Sequence, residues 1–263
     1  MRSGIPAFVT LLAAVVSSGC GEGRHRLGGA VQRQQQNTGG TWGGAAGSGS
    51  AWLDPVLERP CGLCSEGAYC EMIDDMEDDG DSAIMFINGR SGNWYAFNDK
   101  TSSAQVPESD ADYFTMVDLD PPRGRSLRAA WTKGEGFTDW GAGIGFDLRA
   151  KTPYDASQYA GVTFVGMSHE PRDMRFDIGD ATTVPQAPIC EGEQYCYDNF
   201  GRAVQLGTDW QRFRFDWQDL AQVGWGRPQS PAIDPSRLYA MRFQVAGADP
   251  FELWIDDVAF LCE

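Results

Sequence analysis

The stretch Tyr239-Ala240-Met241-Arg242-Phe243-Gln244-Val245 alternates large apolar side chains with small or polar ones. A period of two residues places all of the large apolar side chains on one face of a β-strand. The same alternation recurs at 144–149, 174–179 and 212–217, and glycines and prolines stand between these stretches. Helical periodicity is weak. About ten short strands separated by such turns predict an all-β fold, a jelly-roll β-sandwich with few short helices.

Two acidic segments bracket this strand-rich part of the chain. One is Ile73-Asp74-Asp75-Met76-Glu77 and the other is Trp254-Ile255-Asp256-Asp257-Val258. Each places carboxylates within an apolar, strand-like stretch, which is costly unless a cation pairs with them. Because the first and last strands of many sandwiches run side by side, the segments predict a structural Ca²⁺ site, with Asp75 and Asp257 among its candidate ligands. The alternative is a solvated acidic loop.

The first residues have the features of a targeting segment. Arg2 precedes a short apolar run at 8–16, which is too short to span a bilayer and suits a signal-peptide core. The following Ser17-Ser18-Gly19-Cys20 resembles a bacterial lipoprotein cleavage box, although Ser17 stands where that box usually has Leu. This predicts a signal peptide at 1–19, a lipid on Cys20 and an anchor in the bacterial cell envelope, at the outer membrane or the surface. An ordinary secretory signal is the alternative.

Composition divides the rest of the chain. Residues 20–53 are rich in Gly, Ser and Gln, cannot bury a core, and are expected to form a flexible tether. Residues 54–263 hold most of the aromatic side chains and are expected to form one β-sandwich domain. The formal net charge of −16 repels phosphate backbones, which excludes nucleic-acid binding. We expect the domain to be a monomer.

Cysteine parity supports the lipid. The chain has seven cysteines, and assigning Cys20 to the lipid leaves an even number that can pair in an oxidising compartment. Cys190 and Cys196 enclose a short loop, so we predict a disulfide between them. Cys262 is expected to join the last strand to the region 61–70.

Signals for catalysis or for a redox centre are weak. Cys61-x-x-Cys64 lies among loop residues and has no second pair of metal ligands at suitable spacing, which argues against a redox or zinc motif. Asp74 and Glu77 share part of the spacing of a glycosidase signature, but Met72 stands where that signature needs a carboxylate nucleophile. His169 has no surrounding catalytic motif. We therefore expect a protein that is not an enzyme.

Aromatic residues beside glycine or polar neighbours suit a sugar, which offers C–H faces to a ring and hydroxyls to polar side chains. The candidate platforms are Trp94, Trp140 and Trp225. Core packing is the alternative for each ring. The candidate polar part of the same surface is a charged stripe that includes Arg175, Asp177 and Arg214. The alternative for this stripe is an outer surface of cross-strand ion pairs.

Several stretches resemble a known family. They are 73–77, 136–143, 154–164, 208–213 and 254–258, among them Gly136-Phe137-Thr138-Asp139-Trp140-Gly141-Ala142-Gly143. Over about 72–261 the chain is similar to the galactose-binding-like jelly rolls, and most closely to family 11 carbohydrate-binding modules and their relatives. The resemblance implies the sandwich fold and implies that Glu77 and Asp256 match positions that bind structural calcium. It carries over no ligand-contacting residue.

Together these features predict a non-catalytic carbohydrate-binding lipoprotein of the cell surface, with a polysaccharide or another glycan as its partner. Two alternatives are open. One is an envelope scaffold lipoprotein that binds a protein partner, and the other is a glycan-active hydrolase.

Overall fold

A computed structural model describes residues 69–78, 82–102, 104–109, 111 and 113–262 of the chain. The predicted signal peptide, Cys20, the tether and the start of the predicted domain at 54–68 lie outside the described residues, so these expectations stay predictions. In the part that is described, no helix has the length and apolar character that crossing a membrane requires.

Eleven β-strands form the framework of the described part. They are β1 (Tyr69–Asp74), β2 (Trp94–Asn98), β3 (Val117–Arg123), β4 (Ser126–Gly134), β5 (Ala142–Asp147), β6 (Gly161–Ser168), β7 (Arg172–Asp180), β8 (Phe200–Leu206), β9 (Gln211–Asp216), β10 (Leu238–Val245) and β11 (Phe251–Leu261). The helical elements of the described residues are short 3-10 turns at Glu193–Tyr195, Trp217–Asp219 and Pro235–Arg237. The predicted all-β class with few short helices is confirmed.

The strands form two antiparallel sheets that pack as a sandwich. The first sheet has the strand order β3-β4-β11-β6-β9, and β1 also pairs with β11. The second sheet has the order β2-β5-β10-β7-β8. Within the first sheet Met72 of β1 lies opposite Ala259 of β11, so the two strands that carry the acidic segments are neighbours.

The core lies between the sheets and follows from the period-two pattern. In β10, Met241, Phe243 and Val245 are buried and the side chains between them are half-buried. The ring of Phe243 meets Phe164 of the first sheet edge to face, with centroids 4.9 Å apart. Because of this alternation, one face of each sheet packs into the core. The side chain of Arg242 therefore lies on the outer face of the second sheet.

Cys190 and Cys196 form a disulfide, as predicted. The bond closes the loop that leads into β8, and Cys196 itself is buried. Cys262, directly after β11, is also disulfide-bonded. Its expected partners in the region 61–70 lie outside the described side chains, so that pairing stays a prediction.

Candidate functional site

The outer face of the second sheet is the candidate site. Two rows of cross-strand neighbours run over its five strands. The first row is Tyr95, Gly145, Arg242, Asp177 and Gly201, and the second row is Phe97, Gly143, Gln244, Arg175 and Ala203. Each row combines an aromatic ring, a glycine and polar side chains. The side of the sheet that carries these ten positions, with the side chains that border them, is called the outer face from here on.

Glycine at the centre of the first row lets a long side chain lie flat on the sheet. A Cβ at Gly145 would stand 2.6 Å from the carbonyl oxygen of Met241 and 3.0 Å from Cγ of Arg242. Because Gly145 has no side chain, Arg242 extends across β5, and its Cζ lies 5.4 Å from the ring centroid of Phe97 on β2. Arg242 therefore depends on a glycine of the neighbouring strand for its position.

Arg242 is held by an acid and by a second ring. Its Nε donates to Oδ1 of Asp177 at 3.0 Å, and its Cζ lies 5.5 Å from the ring centroid of Tyr197. The amide Nδ2 of Asn199 donates to the same Oδ1 at 2.7 Å. Burial opposes the charge on Arg242, but the Asp177 carboxylate outweighs it and the pKa of the guanidinium is raised. The centre of the outer face is thus a fixed, charge-balanced network.

Two acceptors beside this network have no partner among the described residues. The amide oxygen of Asn199 is buried and receives no hydrogen bond. The carboxylate of Asp147 is half-buried, and burial, unopposed by any described donor or cation, raises its pKa to about 6. Both acceptors are therefore available to donors from outside the protein, such as water or the hydroxyl groups of a ligand.

Both acceptors open into one small pocket. Its lining includes Tyr95, Asp147, Tyr197, Asn199 and Arg242. Its volume of about 70 Å³ admits one or two hydroxyl groups of a ligand but not a whole ligand. Burial and the charge of Asp147 raise the pKa of Tyr95, so its hydroxyl keeps its proton and can donate.

Two predicted platforms, Trp140 and Trp225, are accessible at the edges of the sheet. Trp140 is 43% exposed, and its ring stacks against Phe97 with centroids 6.0 Å apart. The amide Nε2 of Gln244 donates to the carbonyl oxygen of Trp140 at 2.6 Å. Trp225 is 51% exposed and belongs to the loop after Ala221, which pairs with β8.

The prediction of Trp94 as a platform is wrong, because Trp94 belongs to the core. It is 2% exposed, and its Nε1 donates to Oδ2 of Asp74 at 2.7 Å. Side chains alternate along β2, so Trp94 and Ala96 point into the core while Tyr95 and Phe97 face outward. Burial raises the pKa of Asp74 to about 7.

The predicted charged stripe is divided between the two sheets. Arg175 and Asp177 lie on the outer face, but Arg214 is on β9 of the first sheet, 3.5 Å from Asp216. The expectation that Arg214 belongs to the same surface is therefore wrong. Arg175 donates to the carbonyl oxygen of Asn199 at 3.0 Å, which ties β7 to the start of β8.

The predicted calcium ligands are engaged by donors of the protein itself. Arg123 donates to Asp256 at 2.8 Å and also to Asp257. Glu77 accepts two backbone N–H groups at the start of β4, and Asp75 accepts the N–H of Glu77. No cluster of three or more potential metal-ligating side chains occurs within the described ranges. These carboxylates fit an arginine better than a metal ion, and Ca²⁺ binding stays a prediction.

A wider groove lies at the ends of β4, β6 and β11, with a volume of about 680 Å³. Its charged side chains face one another, as in the pair Arg172 and Asp249 with 3.9 Å between nitrogen and oxygen. Its aromatic side chain, Phe251, is buried. The imidazole of His169 is exposed in the groove, but no Trp, Tyr or Phe ring is exposed among its described lining residues.

Asp147 and Asn199 were not among the predicted site residues. The sequence contains a weak signal for Asp147. This residue ends a strand in which Gly143 and Gly145, at the alternate positions, leave one face without side chains. Asn199 had no such signal, because its role arises only where the loop before β8 folds against β7 and β10.

No family model and no curated protein matches the sequence. Among solved structures, a family 11 carbohydrate-binding module from Clostridium thermocellum, in complex with a β-1,3-1,4-mixed-linked tetrasaccharide, is 14% identical with a TM-score of 0.48, and the match covers 73% of this chain and 95% of that one. The structure is also similar to a family 30 carbohydrate-binding module of a cellulosomal cellulase from Clostridium thermocellum. That module is 18% identical with a TM-score of 0.49, and the match covers 73% of this chain and 98% of that one. An exo-β-agarase is 11% identical with a TM-score of 0.41, and the match covers 57% of this chain and 22% of the agarase.

The predicted resemblance to family 11 modules is thus also found with the structure. Identities this low concern the fold alone and assign no ligand to this chain.

Proposed function

We propose that this protein binds a glycan on the outer face of the second sheet and does not cleave it. The observation that carries the proposal is the pair of unpartnered acceptors, Asn199 Oδ1 and the Asp147 carboxylate, beside aromatic rings. Neighbouring hydroxyls of a sugar donate to such acceptors, and the C–H face of the same sugar lies on a ring such as Tyr197. Tyr197 is 41% exposed, so its ring is accessible.

The chemistry of the outer face favours binding over hydrolysis. Cleavage of a glycosidic bond needs two carboxyl groups on either side of it. Asp147 is unengaged, but Asp177 is buried and is bound by Arg242 and Asn199. A carboxylate fixed in this way cannot act as the nucleophile or base without breaking the network that orders the face.

A protein-binding scaffold is the second candidate. Phe86 and Tyr113 are 70% and 79% exposed, which is unusual for large hydrophobic side chains. Neither of them belongs to the outer face. The two functions can therefore be separated by variants that change one surface and leave the other intact.

We further propose that the protein is a lipoprotein of the cell envelope. The support is the apolar run at 8–16 followed by Ser17-Ser18-Gly19-Cys20, together with the odd number of cysteines. Cys20→Ala should move the protein from the membrane fraction to the soluble fraction. An unchanged distribution would place the anchor elsewhere.

The test of glycan binding is a glycan array with the purified protein, followed by titration of each hit against Asp147→Asn. Loss of a hydrogen bond to a charged group should weaken binding by roughly tenfold to hundredfold. Asp209→Asn, which changes an exposed carboxylate in the turn between β8 and β9, is the matched control.

Each other outcome contradicts a stated part of the proposal. Equal affinities of the Asp147→Asn and control variants would remove the outer face as the site. No binding to any glycan, with a partner protein lost in Phe86→Ser, would favour the scaffold. Release of sugar that persists through purification would favour a hydrolase.

A further inference from the structure

The tryptophans of the described part fall into two groups. Five of them have a packing or hydrogen-bonding role: the indole nitrogens of Trp94, Trp131 and Trp217 donate hydrogen bonds, Trp210 lies under an arginine, and Trp254 contacts another tryptophan ring. The remaining two, Trp140 and Trp225, are 43% and 51% exposed, although the ring of Trp140 also stacks against Phe97. Both are held by turns of the same design.

The turn that carries Trp140 is pinned by Asp99. One carboxylate oxygen of Asp99 accepts the backbone N–H groups of Asp139 and Gly141, each at 2.9 Å. These two residues flank Trp140 in sequence. The other oxygen of Asp99 accepts from the N–H and the hydroxyl of Thr101, which orders the carboxylate itself.

The loop that carries Trp225 is pinned in the same way by Asp198. Its Oδ1 accepts the N–H of Val223 at 2.8 Å, and its Oδ2 accepts those of Gly224 and Gly226 at 2.8 and 2.9 Å. Asp198 is 2% exposed. A Cβ at Gly226 would stand 2.5 Å from Cβ of Asp198, so only glycine allows this approach.

The ordering of these loops is not explained by packing of Trp225. Fixing the backbone of a residue opposes folding by about 1–2 kcal/mol. The ring of Trp225 has no described aromatic partner, and half of its surface is in solvent. The fixed position of the ring leaves about half of its surface accessible to a ligand. A role in ligand binding accounts for this fixed position. A ring that is already ordered loses less entropy when a ligand binds to it.

We propose that Trp225 contacts the ligand at the β8 edge of the outer face and that Asp198 is the positioning residue that presets it, as Asp99 presets Trp140. This inference rests on the proposed glycan-binding function and extends its site beyond the sheet onto the loop at 222–226. The contact is with Trp225, and Asp198 acts only through it.

A double-mutant cycle tests the positioning role, with the glycan that binds best on the array as the probe. Trp225→Ala should lower affinity about tenfold, because the ligand loses an aromatic contact. Asp198→Asn keeps the size of the side chain but loses an acceptor, and it should lower affinity severalfold in the wild-type background and not at all when Trp225 is already alanine. Asp209→Asn, which changes an exposed carboxylate outside this loop, is the control and should bind as wild type.

A second readout needs no ligand. With fluorine-labelled tryptophan, the Trp225 resonance of the full protein is expected to narrow in Asp198→Asn, because the ring becomes mobile, while the Trp140 resonance stays unchanged. Asp99→Asn and Trp140→Ala form an equivalent double-mutant cycle at a less buried carboxylate. This second cycle tests the same positioning role if Asp198→Asn does not fold.

Two results would overturn the inference. One is an equal loss of affinity on Asp198→Asn with and without the Trp225 ring, and the other is a Trp225 resonance that is mobile in the wild type. Failure of every glycan to bind would instead refute the proposed function and the ligand contact, while the resonance would still decide whether Asp198 positions Trp225.

Discussion

Replacing Asp147 with asparagine should make the protein more stable and a poorer binder. The Asp147 carboxylate is half-buried, has no described partner, and has its pKa raised by burial from 3.8 to about 6. The folded state therefore holds the proton more tightly than the unfolded state. Ionising the group opposes folding above pH 6, and this effect disappears as the pH falls towards 4.

The size of the effect follows from the pKa. A rise from 3.8 to about 6 corresponds to at most about 3 kcal/mol of destabilisation at pH 7. Solvent reaches part of the carboxylate and screens it, so the expected value is about 1–2 kcal/mol. Asparagine has a similar shape and no charge. Asp147→Asn should therefore raise the free energy of unfolding at pH 7 by this amount, and by almost nothing near pH 4.

Urea unfolding of the wild type and of Asp147→Asn at both pH values measures this difference, with Asp209→Asn as the exposed control. The same variants are titrated with glycan. A gain in stability together with a loss of affinity would identify Asp147 as a group that is kept for binding. A loss of stability at pH 7, or an equal change at both pH values, would show that the carboxylate has a structural partner and would refute the reasoning.

Three further predictions concern the surroundings of the site. Arg242→Met leaves Asp177 buried without its cation, and urea titration should show a loss of about 3–5 kcal/mol in unfolding free energy; an unchanged value would mean that the ion pair is not needed. Gly145→Val places a side chain 2.6 Å from the carbonyl oxygen of Met241, and calorimetry should show a lower Tm, whereas a wild-type Tm would refute the close approach. Arg123→Gln removes the arginine bound to Asp256, although Arg212 still lies 3.8 Å from Asp257, so the Tm of this variant should rise with added Ca²⁺; a chelator that lowers the Tm of the wild type equally would show that calcium and Arg123 occupy the site together.

The period-two pattern was sufficient to predict the fold class, because it placed Met241, Phe243 and Val245 of β10 on one face, where the structure buries them. The pairing of β1 with β11 also agrees with the expectation drawn from the two acidic segments. What the pattern could not supply was the cation beside these segments. Arg123 is the last residue of β3, far in sequence from Asp256, and only the assembled sheet brings them together.

The errors in the predicted site have a common cause. A strand pattern does not reveal which sheet a strand joins, so the charged residues of β7 and of β9 were assigned to one surface although Arg175 and Arg214 lie on different sheets. Within β2 the choice between Trp94 and Tyr95 depended on which alternate face meets the core. Asn199 is a loop residue with no periodic signal, and its importance comes from an oxygen that the fold leaves without a partner.

Chemical-shift mapping of the backbone amides during titration with a glycan that binds on the array tests the central claim most directly. The account predicts that the shifts cluster at the outer face and its edges, around Tyr95, Asp147 and Asn199, and leave β9 of the first sheet, including Arg214, unchanged. Shifts that cluster on the first sheet, or a bound glycan that moves no amide of the outer face, would contradict it.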